Sequence, residues 1–180
     1  MNSTDTLLVV SSQLPSILRG IMIVWYVIGL ALVGGGIWRL ASAGMSRGAA
    51  SHPPRVGIAM AICGSLMLNL IGTVAAGTVT LFGPGVSPEY VLSTVSTGGD
   101  TMQTWITVLL NIVVVIGWYF AGRGLYALAT AHNRQEGGWG AGAARFVAGV
   151  LLCNAHVFAY AIGASLGATA TVSLLIPSPP

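Results

Sequence analysis

Charge is too scarce in this chain for it to cover a water-facing surface. Only 6% of its 180 residues are charged and 54% are hydrophobic, whereas a water-soluble domain carries about 25% charged residues. The mean hydropathy of +0.83 agrees. The apolar residues fall into four stretches, roughly 20–43, 56–82, 104–131 and 146–174. Each meets the requirement of about 20 apolar residues for crossing a bilayer. Backbone polar groups in hydrocarbon must be satisfied within the segment, so each stretch is expected to be a helix. The alternating strands of a membrane barrel are absent from the sequence. The expected fold is therefore an all-α integral membrane protein with four transmembrane helices.

The breaks between the stretches are chemically clear. Residues 44–55 contain Gly48, His52, Pro53, Pro54 and Arg55, residues 83–100 contain Gly83, Pro84, Gly85, Pro88 and Asp100, and residues 132–145 include Asn133, Arg134 and Arg145. Pro177, Pro179 and Pro180 cannot continue a helix. These divisions give an outward-facing N-terminal segment (1–19), a first hairpin (20–82), an outward-facing connecting loop (83–103), a second hairpin (104–176) and a tail (177–180). The start does not read as a cleaved secretory signal, because Asp5 stands where a basic residue belongs.

All seven basic residues are arginine. Arg39, Arg47 and Arg55 flank the first loop, Arg123, Arg134 and Arg145 flank the third, and Arg19 is the exception. The middle loop carries only Glu89 and Asp100. Positive loops stay in the cytoplasm, so both termini and the middle loop are expected in the periplasm of a bacterial inner-membrane protein.

The chain also repeats itself. Laying Gly29 on Gly117 lays Gly34 on Gly122 and Gly36 on Gly124. Laying Arg55 on Arg145 brings Cys63 to Cys153 and Gly77 to Gly167. Each unit holds two helices, so the copies share one orientation and form tandem parallel-repeat helical hairpins. Inverted repeats are the commoner plan of alternating-access transporters.

The second helix of each unit presents small residues four positions apart, which share one helix face. They are Ala61, Ser65, Asn69, Thr73 and Gly77 in the first unit. In the second they are Ala155, Ala159, Gly163, Gly167 and Thr171. Such ridges let helices approach closely in lipid, either within the four-helix unit or between subunits of a homo-oligomer.

Few groups offer chemistry. Asn69, Asn111, Asn154 and His156 are the polar residues at membrane depth, with no Asp, Glu or Lys among them. His156 reads as a hydrogen-bonded core histidine, and Cys63 and Cys153 as small buried apolar residues. Arg123 reads as a residue that snorkels to the interface; a water-filled lumen or a lipid headgroup are its other settings. With no catalytic or metal-binding motif, no enzymatic active site is expected, and no cofactor beyond a bound phospholipid.

Glycine-rich hairpins with a short basic loop and both termini outside resemble the pilins of conjugative type IV secretion systems. The duplicated form resembles more closely the small membrane proteins of type IVB systems, the IcmC (DotE) and IcmD (DotP) proteins of Dot/Icm secretion and the TraQ and TraR proteins of conjugative plasmids. The resemblance covers residues 20–175 through glycine spacing, loop charge and topology. It implies a self-assembling structural subunit, a pilin-like tube or an inner-membrane ring, with other secretion subunits as partners and DNA or protein in transit. Arg47, Arg55, Arg123, Arg134 and Arg145 would then line the lumen or the cytoplasmic mouth. A small channel or transporter between the hairpins, and a membrane assembly factor, are the alternatives.

Overall fold

The computed structural model describes residues 3–45, 54–86, 101–131 and 138–165, and the described residues are helical apart from a short turn at 83–86 and single-residue breaks within the second and last stretches. Six helices follow in order: α1 Ser3–Met45, α2 Pro54–Leu68, α3 Leu70–Phe82, α4 Thr101–Thr130, α5 Gly138–Cys153 and α6 Ala155–Ser165. Arg47, Arg134, Gly167 and Thr171 lie outside the described residues, as do the tail and most of the three loops.

Among the described residues two helices are long and apolar enough to cross a membrane, within Val9–Met45 and Thr104–Thr130, and a third span results if α2 and α3 are taken together. The last expected stretch runs on beyond the described residues. The helices also differ from the expected segments, and α1 does not begin at residue 20. Its apolar part alone is 37 residues, about 55 Å at 1.5 Å per residue, so the segment 1–19 largely continues the helix. The expected single helix over 56–82 breaks at Asn69, where α2 and α3 meet at 91°. The last stretch also breaks, at Asn154, between α5 and α6.

Local chemistry accounts for the helix ends. Proline at the first position of α2 removes an N–H that has no partner there. After α3 the chain turns through Gly83 and Gly85, whose φ values of 93° and 100° favour glycine.

The helices pair as antiparallel hairpins, α1 with α2 and α4 with α5, and α4 also packs on α1 and α2. A stripe on α1 (Leu14, Leu18, Trp25, Leu32) and one on α4 (Val114, Trp118, Ala121, Leu125) form the core with Met67, Val74 and Val150. The other side of α1 points Ile23, Val24, Val27, Leu30 and Ile37 outward. That distribution suits a helix whose outer face meets lipid.

Candidate functional site

The closest helix-to-helix backbone approaches among the described residues are two glycine seams. In the first hairpin a Cβ on Gly36 would lie 2.8 Å from Ala61 N and Gly57 O, and one on Gly64 would lie 2.9 Å from Gly29 O. In the second hairpin a Cβ on Gly117 would lie 2.6 Å from Cys153 N. One on Gly124 would strike Phe146 N, and one on Gly149 would strike Ala121 N. Only glycine permits these distances.

The seams fix the register of the repeat. Gly57 meets Leu40 just as Gly142 meets Leu128, and Gly64 meets Val33 just as Gly149 meets Ala121. Leu40 and Val33 correspond to Leu128 and Ala121 when Gly29 is laid on Gly117, so the first helices align as expected. The second helices do not. Gly57 corresponds to Gly142 and Gly64 to Gly149, so the pairing of Arg55 with Arg145 and of Cys63 with Cys153 is displaced. The reason is that fewer residues separate Leu128 from Gly142 than Leu40 from Gly57.

This register puts Asn69 on Asn154, and each stands at a helix break. At the first break Asn69 Oδ1 accepts from Gly72 N at 3.3 Å, and Thr73 Oγ1 donates to Leu66 O at 2.9 Å. A carbonyl that the bend strips of its helical partner is thereby satisfied. At the second break Asn154 is buried, and its Nδ2 donates to Val150 O at 2.8 Å and to Thr78 Oγ1 at 2.9 Å. Thr78 Oγ1 donates in turn to Val74 O. Two protein acceptors on Nδ2 fix the carboxamide's orientation, and Asn154 Oδ1 is buried with no hydrogen-bond partner among the described residues. The bend at Asn69 delivers α3 across the end of α5, where Gly77 faces Val150 and Thr78 meets Asn154.

The first of the two small-residue ridges does not stay on one face. The 91° bend splits the first one: Ala61 touches Gly36 in the α1–α2 seam, whereas Gly77 touches Val150 of α5. Between them Ser65 and Asn69 are exposed, and Ser65 Oγ donates to Ala61 O of its own helix. In the second ridge Ala155 and Ala159 are half-buried on α6, Gly163 lies on the same helix, and the rest is outside the described residues.

Among the described arginines, Arg19, Arg55, Arg123 and Arg145 are exposed and Arg39 is half-buried. Arg123 Nη1 donates to Tyr119 OH at 2.9 Å, and the Tyr119 ring lies 6.0 Å from that of Trp25. Trp25 in turn covers Gly122, joining α1 to α4. An open cleft of about 380 Å³ lies beside Trp38, Ala41, Ser42 and Met45. Cys63 and Cys153 are free and buried. Among the described residues no three His, Cys, Asp or Glu side chains gather as metal ligands.

Sequence reading missed the pair of helix breaks. The signal was present, since Gly64 and Gly149 each precede an asparagine by the same number of residues. Comparison with known protein families, with characterised proteins and with solved structures finds no match to this chain.

Proposed function

We propose that the chain is an integral membrane protein whose role is structural: a self-assembling subunit of a conjugative or type IV secretion apparatus. It forms a pilin-like tube or an inner-membrane ring, with other secretion subunits as neighbours. The observation that supports the assembly role is the pair of glycine seams. Each hairpin satisfies its own close packing internally, so its outward apolar faces remain for lipid and for further copies. The assignment to secretion comes from the sequence resemblance and the one-sided arginines. On this reading the termini are periplasmic, the arginine loops are cytoplasmic, and DNA or protein passes by electrostatic guidance without catalysis.

Fractionation tests the reading. Cells expressing the protein are sheared, and the surface filaments and inner membranes are immunoblotted side by side. Protein in regular filaments supports a pilin-like subunit; protein confined to the inner membrane leaves the ring. Protein in the soluble fraction ends the membrane reading altogether. Replacing Arg47, Arg55, Arg134 and Arg145 together by glutamine is expected to abolish transfer. If transfer and assembly both survive, the arginines have no part in either.

A second reading, a small channel or transporter, is favoured by the two broken helices and the buried Asn154–Thr78 contact. Interrupted helices at membrane depth commonly line a substrate or ion site. It predicts flux across liposomes containing the purified protein alone.

A further inference from the structure

We propose that α2 and α3 form a two-state hinge, bent when Thr78 and Asn154 hold α3 across α5 and straight when that latch opens. The inference rests on the membrane reading for its consequence but not for its geometry.

The break leaves little backbone to change. Asn69 N donates to Ser65 O at 3.3 Å and Thr73 N donates to Asn69 O at 2.9 Å, so helical bonding runs up to Asn69 and resumes from it. Only the N–H groups of Leu70, Ile71 and Gly72 must find new acceptors for the helix to continue. In the bent form the Thr73 Oγ1 hydrogen is shared between Leu66 O and Asn69 O, both at 2.9 Å, and Asn69 Oδ1 accepts from Gly72 N. In a straight helix Leu70 N takes Leu66 O, and Gly72 N takes the carbonyl of Leu68. Each state therefore provides partners for the same two groups. A threonine or asparagine side chain that competes with the helix in this way is what makes such a joint nearly neutral.

The decision then falls to what α3 touches. Bent, it buries Leu70, Val74 and Thr78, and Thr78 accepts from Asn154 Nδ2. Straight, α2 and α3 together become one helix of apolar character sufficient for a span. Its length from residue 54 to residue 82 would be about 43 Å, against about 22 Å for α2 alone. The hinge thus decides whether the first hairpin crosses the bilayer fully or turns within it. It also decides whether the turn at Gly83 and Gly85 lies in hydrocarbon or at the surface. A subunit that joins an assembly in one form and waits in the other would need such an element.

Spin labels at Ile58→Cys and Leu81→Cys measure it, since both side chains are about half exposed. The unsubstituted protein, whose two native thiols are buried, gives the labelling background. At 1.5 Å per residue the bent form puts these positions about 24 Å apart and the straight form about 35 Å. In lipid nanodiscs the short distance is expected to dominate. Thr78→Val keeps the shape of the side chain and removes the acceptor. It is expected to raise the ratio of long to short distances about fivefold, the factor that one net hydrogen bond of about 1 kcal/mol makes. Asn69→Leu, at an exposed position, removes the competing cap and is expected to raise it independently. A single short distance unchanged by either substitution overturns the hinge, and so does a long distance alone in the parent protein. A response to Asn69→Leu without one to Thr78→Val overturns the latch. None of these outcomes depends on where the protein fractionates in cells, so the hinge and the membrane reading fail separately.

Discussion

The two hairpins are built to one plan and closed to different tightness. Both use glycines seven residues apart on each helix: Gly29 and Gly36 against Gly57 and Gly64, then Gly117 and Gly124 against Gly142 and Gly149. In the first, a Cβ on Gly36 would lie 2.8 Å from Ala61 N and one on Gly29 3.0 Å from its nearest neighbours. In the second, Cβ atoms on the matching Gly124 and Gly149 would run more deeply into backbone nitrogen, at Phe146 N and Ala121 N. One substitution explains part of the difference. Where the first hairpin has Val33 opposite Gly64, the second has Ala121 opposite Gly149, and the smaller side chain lets the backbones close. The partners at the far ends differ too. Asn69 is exposed and caps a bend, whereas Asn154 is buried and receives a helix from the other hairpin. The second hairpin is accordingly the rigid half on which the first one leans.

The largest effects should follow from filling the tighter seam. Gly124→Ala and Gly149→Ala each drive a methyl group into backbone, and overpacking of that kind costs about 3 kcal/mol. Gly29→Ala meets a gap that closes with a shift of a few tenths of an ångström. The gain of about 1 kcal/mol from replacing glycine in a helix offsets most of its cost, so the net loss should stay under about 1 kcal/mol. Thermal unfolding in detergent measures both. Equal losses in the two hairpins would show that the seams are equally tight and remove the distinction drawn between them.

Much of this plan was legible before any coordinates. Helicity followed from the want of charge, and the pairing of Gly29 with Gly117 and Gly36 with Gly124 followed from the repeat. The register of the second helices was not. Arg55 with Arg145 and Cys63 with Cys153 gave a persuasive match, but arginines at helix ends and small apolar residues in a span recur by composition alone. The glycines that touch a partner carry the register, and contact is invisible in one sequence. The breaks were hidden for a similar reason. An asparagine inside an apolar run interrupts a helix only when its side chain finds a better use, as Asn69 does on Gly72 N and Asn154 on Thr78.

The next largest contrast lies at the asparagines. Asn154→Leu removes two hydrogen bonds from a buried carboxamide and leaves the Thr78 hydroxyl short of a donor, which costs about 2 kcal/mol. Asn69→Leu loses an exposed cap, worth about 1 kcal/mol or less in this setting, and allows a continuous helix in its place. Chemical unfolding in a defined detergent ranks the two. If Asn69→Leu is the more damaging, the bend is the keystone of the fold and the second hairpin is not the rigid half.

The smallest expected effect is the most discriminating between packing within a subunit and packing between subunits. Gly64 and Ser65 are adjacent, yet Gly64 is buried in the α1–α2 seam and Ser65 is exposed. The Ser65 hydroxyl is already engaged with Ala61 O in its own helix. Ser65→Leu should therefore change the stability of the isolated chain by less than about 0.5 kcal/mol. In an assembly held through this face the same bulk would prevent close approach of a neighbouring helix, because small residues are what allow helices to associate in lipid. Sedimentation in detergent separates these cases. A Ser65→Leu protein with unchanged stability and lost oligomers places the exposed part of the first ridge at a subunit interface. Unchanged stability with unchanged oligomers assigns that face to lipid, and any self-assembly must then run through the outer face of α1.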